Sequence, residues 1–228
     1  MLNLQNMTYP SQLTHDQIKM AISPAHQFPA NGKNGLILYG PYGTGKTTVA
    51  GLLPAAIEAK QSGGTPLVRY EACSSSNNGV SLVESILTQI AHVPTTGTFH
   101  YIILDEVDNL TPGAMQQLKS AMNRRHGSQN HDAVFIMTTN HLDKIDSGVI
   151  SRSRPISFEP MSETVWIPLA RQELLNSGVS NIDDVTDGFI RRRIVRKGNN
   201  PRAILDNCRQ MAYLLSNNSQ LWVDAQQP

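Results

Sequence analysis

The chain has 228 residues, 39% of them hydrophobic and 16% charged, with a net charge of +1. That suffices for one good core, or one core with a small satellite, and it excludes a global basic field for nucleic acid. It also excludes a membrane-spanning helix, because no apolar run approaches the necessary length. Cys73 and Cys208 are far apart and have no Cys-x-x-Cys spacing. This argues against a disulfide framework or a zinc site and fits free thiols in a reducing cytosol. The first residues lack the charged start and apolar stretch of a signal peptide, so a cytoplasmic protein is expected.

Residues 1 to about 34 read as a polar lead-in containing Pro10, Pro24 and Pro29. A helix is expected within Thr14–Ile22, with Thr14 as its N-cap. Gly35–Tyr39 then reads as a short buried strand. It runs into Gly40, Pro41, Tyr42, Gly43, Thr44, Gly45, Lys46 and Thr47, and Thr48 continues into a helix. Strand, G-x-x-x-x-G-K-T and helix together make a phosphate loop that binds a nucleoside triphosphate. The glycines let backbone N–H groups turn toward the phosphates, Lys46 reaches the β/γ-phosphates and the Thr47 hydroxyl holds Mg²⁺. Pro54 predicts a kink or break in the following helix.

Leu67–Glu71 reads as a second strand, and Val80–Ala91 has helical apolar spacing. His100–Glu106 is an apolar strand ending in two adjacent carboxylates. In a parallel sheet such ends gather at the carboxyl edge, where ligands bind. There Asp105 would hold Mg²⁺ through water, and Glu106 would polarise a water for in-line attack on the γ-phosphate. A small-molecule kinase has no need of that base. Thr111-Pro112 opens another helix, with the proline at a position where a missing N–H costs nothing. Ala133–Asn140 is a further strand, whose terminal Asn140 is placed to bond the attacking water or the γ-phosphate.

Arg152 and Arg154 precede a short apolar strand, and Arg202 falls in the first turn of a helix. Arginine suits bidentate phosphate contact, although solvated residues at element ends look the same. Strand signals vanish after Glu159-Pro160, and helical stretches follow at about 162–177, 182–196 and 200–216. Arg191, Arg192 and Arg193, with Arg196 and Lys197, form the one dense basic cluster. It reads either as a solvated helix face or as a contact for an acidic partner or DNA backbone. The fold expected is therefore α/β: a P-loop NTPase parallel sheet flanked by helices, followed by a small α-helical lid. The segments are a lead-in over 1–34, a nucleotide-binding domain over 35–160 and a lid over 161–228.

These motifs resemble those of AAA+ ATPases, most closely the clamp-loader group that includes the replication factor C small subunits. The resemblance rests on Gly40–Thr47, Leu104–Thr111, Thr138–Asn140 and Ser151–Ser153. It implies ATP as the nucleotide, Asn140 as the sensor-1 residue and Arg202 as the sensor-2 arginine of the lid. It further implies Arg152 as an arginine finger donated to a neighbouring subunit, with Arg154 as its rival. The implied protein is an oligomeric ring or spiral that hydrolyses ATP and acts on DNA and a sliding clamp in replication. The alternatives are a helicase loader or other DNA-remodelling ATPase, and an ATP-dependent scaffold in which hydrolysis is incidental.

Three departures stand against the clamp-loader pattern. Cys73–Gly79 replaces a segment of the type Asn-Ala-Ser-Asp-x-Arg-Gly, so Asn78 stands where an arginine usually touches DNA. Lys119 and Ser120 replace two adjacent arginines. The sequence ends at Pro228, where a helical collar would be expected to follow.

Overall fold

A computed structural model describes residues 4, 7–23, 25, 28–61, 63–123, 133–195 and 201–227. Pro24, Arg196, Lys197 and Gly198–Asn200 of the sequence reading lie outside the described residues. Among the described residues no helix is long and apolar enough to cross a membrane.

Five strands form one parallel sheet in the order β2-β3-β4-β1-β5: β1 Gly35–Tyr39, β2 Leu67–Ala72, β3 His100–Asp105, β4 Ala133–Thr139 and β5 Ser153–Ser157. The central strands are apolar except toward their ends because both faces are covered. Side chains alternate between two cores. Leu36, Leu38, Tyr101, Ile103, Val134 and Ile136 pack on one face with Ile18, Val49, Leu53 and Ile57. On the other, Ile37, Ile102, Leu104, Phe135 and Met137 pack with Val83, Ile86, Met115 and Leu118. The first layer comes from α1 Gln12–Ile22 and α2 Lys46–Gln61, the second from α3 Val80–Gln89 and α4 Pro112–Ala121. At the edge, β2 alternates half-buried and exposed residues, leaving Val68 and Tyr70 exposed.

Two local expectations are corrected. The N-cap of α1 is Ser11, whose hydroxyl accepts the Thr14 N–H at 3.1 Å. Thr14 lies inside the helix and donates its own hydroxyl to the Ser157 carbonyl of β5 at 2.7 Å. Helix α2 runs through Pro54 for 16 residues without a break. Pro54 removes the N–H that would bond the Ala50 carbonyl, but Ala50, Leu53 and Ile57 are fully buried against the sheet. Burial of such side chains, worth roughly 1.5–3 kcal/mol each, outweighs the ~3 kcal/mol cost of an internal proline. A short helix not expected from sequence, α5 Ser147–Ser151, precedes β5, and β5 itself contains Arg154 and Pro155.

The chain divides into two compact units: Met1–Gly40 with Gly45–Phe158, and Pro41–Thr44 with Glu159–Pro228. The second is helical: α6 Glu163–Asn176, α7 Asp187–Arg193, α8 Pro201–Asn217 and α9 Ser219–Ala225, with a 3-10 turn at Ile182–Asp184. The expected helix over 182–196 is thus a 3-10 turn followed by α7, and α9 adds a helix not foreseen. The core of this unit contains Trp166, Leu174, Phe189, Ile190, Ile204, Cys208 and Ala212. Arg171 links α6 to α7 by donating to the Asp187 carboxylate at 2.6 Å and to the Val185 carbonyl at 2.8 Å. The basic cluster of α7 is partly neutralised: Arg191 pairs with Glu163 at 2.8 Å and Arg193 with Asp224 at 4.0 Å.

Candidate functional site

The phosphate loop follows β1 directly. Gly40 has φ +142°, and a Cβ there would lie 2.2 Å from the Phe158 carbonyl oxygen, so the sharp exit from β1 tolerates only glycine. Gly43 and Gly45 also have positive φ, and the Thr44 hydroxyl closes the turn on the Pro41 carbonyl at 2.9 Å. Tyr42 is exposed, as are Pro41, Thr47 and Thr48. Helix α2 begins at Lys46, so the free N–H groups and positive dipole end of its first turn lie at the loop.

Lys46 is buried, yet its Nζ donates to the Gly40 carbonyl at 2.8 Å and to Asn140 Oδ1 at 2.9 Å. Burial pulls its pKa down to about 8, against the opposing pull of Asp105, Asp108 and Glu106. The phosphate-loop lysine and the asparagine after β4 are therefore joined directly. The same sheet edge joins the next pair, with the Thr47 hydroxyl donating to Asp105 Oδ1 at 2.9 Å.

Asp105 carries two further donors that the sequence reading did not single out. Thr138, the sixth residue of β4, donates to Oδ1 at 2.5 Å, and Tyr70 of β2 donates to Oδ2 at 2.8 Å. Burial and the Asp105 carboxylate push the Tyr70 phenol up to about 12, so it remains the donor. The Thr138 oxygen also accepts the Glu106 N–H at 3.0 Å. That N–H belongs to a residue in the left-handed region, at φ 56° and ψ 50°. A non-glycine residue is held there only when its surroundings demand it. Here the turn swings the Glu106 carboxylate to an exposed position beyond the strand end, where Asn109 Nδ2 donates to Oε2 at 3.2 Å. Asn109 also bonds the Cys73 carbonyl at 2.9 Å.

The fold thus brings Lys46, Thr47, Asp105, Glu106 and Asn140 to one edge of the sheet. Arg152 is elsewhere. It caps the C-terminus of α5 and immediately precedes β5, whose first residue, Ser153, is paired with Gly35, the first of β1. Arg152 and the phosphate loop therefore stand at opposite ends of adjacent strands, about 17 Å apart at 3.3 Å per residue over five residues. Arg154, on β5, holds its guanidinium 5.2 Å from the Phe28 ring centre, a cation–π contact within its own unit. Arg202 is the second residue of α8, with an exposed side chain.

A hydroxyl and a carboxylate 2.9 Å apart are hard oxygen donors of the kind Mg²⁺ uses when phosphates complete its shell. Among the described residues no cluster of three His, Cys, Asp or Glu could hold a metal ion by itself. Two residues at which the sequence departs from the clamp-loader pattern, Asn78 and Lys119, are engaged internally. Asn78 Nδ2 donates to the Asn109 carbonyl at 3.0 Å, and Lys119 pairs with Asp146 at 3.6 Å.

The chain is 30% identical over 154 residues to replication factor C small subunit 1 of Pyrobaculum arsenaticum, covering 67% of this chain and 45% of that protein. It is 26% identical over 178 residues to human replication factor C subunit 4, covering 70% of this chain and 47% of the relative. It therefore spans about half the length of the curated relatives it matches. Among solved structures, a point mutant of Thermotoga maritima RuvB superposes with a TM-score of 0.71 at 13% identity, over 98% of this chain and 71% of that one. This likeness speaks for the fold alone. The model of the ATPase family associated with various cellular activities (AAA) matches residues 36–160, more than half of the sequence. With the phosphate loop and the acidic strand end both inside that match, the chain belongs to the AAA family of ATPases.

Proposed function

We propose that the protein hydrolyses ATP as one subunit of a cytoplasmic ring or spiral, in a clamp-loader-like role in DNA replication. The observation that carries this reading is the separation of Arg152 from Lys46, Asp105 and Glu106 by the length of a strand. An arginine at the far edge of the sheet does not reach its own phosphate loop, so it serves the loop of a neighbour.

Lys46 and the N–H groups at the start of α2 would bind the phosphates, with Gly40, Gly43 and Gly45 supplying the turn. Thr47 and Asp105 would hold Mg²⁺, which when bound shields phosphate charge and fixes the nucleotide. Glu106 would accept a proton from the attacking water as it meets the γ-phosphate, and Asn140 would orient that water or the γ-phosphate. Arg152 of an adjacent copy would stabilise the charge that develops on the transferred phosphoryl group. Residues 1–34, 35–160 and 161–228 are read as lead-in, nucleotide-binding domain and lid, with Arg202 as the lid's contact to nucleotide. The likeness to replication factor C subunits supports DNA and a sliding clamp as partners.

A second reading has an observation of its own. Asn78 and Lys119 are spent on internal contacts, which favours an ATP-dependent loader or scaffold that grips a protein partner instead of DNA. One experiment addresses both readings: ATPase rate against protein concentration, with and without primed DNA, for wild type and Arg152→Ala. The clamp-loader reading expects activity that rises with concentration and with DNA and is flat and low in the variant. Activity that rises with concentration but ignores DNA supports the loader or scaffold. Specific activity independent of concentration, unchanged by Arg152→Ala, overturns the trans arrangement.

A further inference from the structure

Arg152 is fastened at both its backbone and its side chain. Its carbonyl accepts the N–H groups of Asn34 and Gly35, each at 3.1 Å. Lys33 Nζ donates to the carbonyls on either side, Ser151 at 3.1 Å and Ser153 at 2.8 Å. The buried Ser153 hydroxyl donates to the Val149 carbonyl at 2.8 Å. In the side chain, Nε donates to Asn123 Oδ1 at 2.5 Å, and Nη1 donates to the Gly148 carbonyl at 2.7 Å and to the Ser151 hydroxyl at 3.3 Å. The third nitrogen, Nη2, makes no hydrogen bond among the described residues.

We propose that Asn123 is a positioning residue for Arg152, holding the guanidinium by Nε so that Nη2 is presented to a phosphate of an adjacent copy. The proposal rests on the reading of Arg152 as a group acting in trans. A mobile arginine must lose rotamer freedom when it meets the γ-phosphate, whereas an anchored one is already ordered. The chemistry of the anchor matters. A neutral amide oxygen accepts from the guanidinium without cancelling its charge, so the full cation remains available. Lys33 acts one step further back, fixing the backbone from which the side chain extends. Asn123 lies just beyond the C-terminus of α4, the helix whose N-cap, Thr111, follows the acidic end of β3. One helix therefore runs from the hydrolytic carboxylates of a subunit to the anchor of the arginine it lends.

The test is a double-mutant cycle of Asn123→Leu and Arg152→Ala in the full chain, read by kcat, KM for ATP and assembly by light scattering. Arg152→Ala should lower kcat by about 10³-fold or more. Asn123→Leu, which keeps shape but lacks the acceptor, should lower kcat roughly 10- to 100-fold with assembly and KM unchanged. It should cause no further loss in the Arg152→Ala background. Asn123→Asp, which restores an acceptor oxygen but pairs the guanidinium with a negative charge, should recover only part of the rate. Asn123→Ala carries the same expectation as leucine if the larger residue disturbs the turn. A kcat within about twofold of wild type for both Asn123→Leu and Asn123→Ala, beside a deep loss for Arg152→Ala, overturns the positioning role alone. Losses that add in the double variant do the same. An unchanged rate in Arg152→Ala removes the trans reading itself, and the role of Asn123 with it.

Discussion

Thr138→Val removes a single oxygen that serves the two acidic residues at once. Valine keeps the shape and the β-branching, so the strand geometry of β4 is preserved. The Thr138 hydroxyl donates to Asp105 and accepts the N–H of Glu106, and the side chain is 1% exposed. Its loss takes a charge-assisted hydrogen bond, about 1.5–3 kcal/mol, from Asp105 and leaves the Glu106 N–H without its partner, about 1–3 kcal/mol. Asp105 retains Thr47 and Tyr70, so the two effects together should come to about 2–3 kcal/mol of stability in the sheet unit. With a urea slope of about 2 kcal/mol per M, the unfolding midpoint of that unit should fall by roughly 1 M. Both tryptophans of the chain, Trp166 and Trp222, lie in the helical unit. Amide hydrogen exchange in β3 and β4 therefore reports the change, while tryptophan emission serves as an internal reference that should move little. The released Glu106 should leave its left-handed conformation, and kcat should fall with nucleotide affinity nearly intact. A variant within about 0.5 kcal/mol of wild type with normal kcat would refute the assignment of this hydroxyl as the support of Glu106.

Tyr70→Phe removes the donor to Asp105 Oδ2, and the Mg²⁺ concentration needed for half-maximal binding of a fluorescent nucleotide should shift severalfold, with metal-free binding unchanged. Gly40→Ala drives a methyl group into the Phe158 carbonyl, so nucleotide binding should be lost and the sheet unit destabilised by more than about 1 kcal/mol, measured by calorimetry and denaturation. Burial pushes the thiols of Cys73 and Cys208 up to about 12, so at pH 8 both remain protonated in the folded protein. A chromogenic disulfide reagent should find no rapid thiol before denaturation and two afterwards. Arg191→Ala breaks an exposed pair with Glu163 and should cost less than about 1 kcal/mol in thermal unfolding, because such pairs are largely screened.

The phosphate loop and the carboxylates after β3 were legible in the sequence because each is a local run whose spacing sets its own geometry. Asn140 was singled out only by its order in the chain after the other two motifs, since an asparagine at a strand tip more often just forms a turn; the fold sets it against Lys46. Tyr70 and Thr138 were not legible, since their approach to Asp105 depends on register between strands distant in sequence. Ala72 pairs with Asp105, placing Tyr70 two residues back on the exposed face, and Leu104 pairs with Met137, bringing Thr138 level with Asp105. Asn123 and Lys33 were hidden likewise, 29 and 118 or more residues from the groups they hold. The choice between Ser11 and Thr14 as cap was made by a tertiary contact: the Thr14 hydroxyl is engaged by β5 and Ser11 takes the helix end. Pro54 misled for the opposite reason, a local rule overridden by packing.

With Arg152 acting in trans as proposed, its place at the opposite end of the adjacent strand from the phosphate loop makes association directional. Each copy has a donor end and an acceptor end, so copies can join head to tail in a repeating row. An open row of n copies completes n − 1 sites, leaving one loop without its arginine and one arginine without a loop. Only closure removes that deficit. Activity per subunit should therefore climb from half its limit in a head-to-tail pair toward the limit as the row lengthens, so the rate itself counts how many copies have joined.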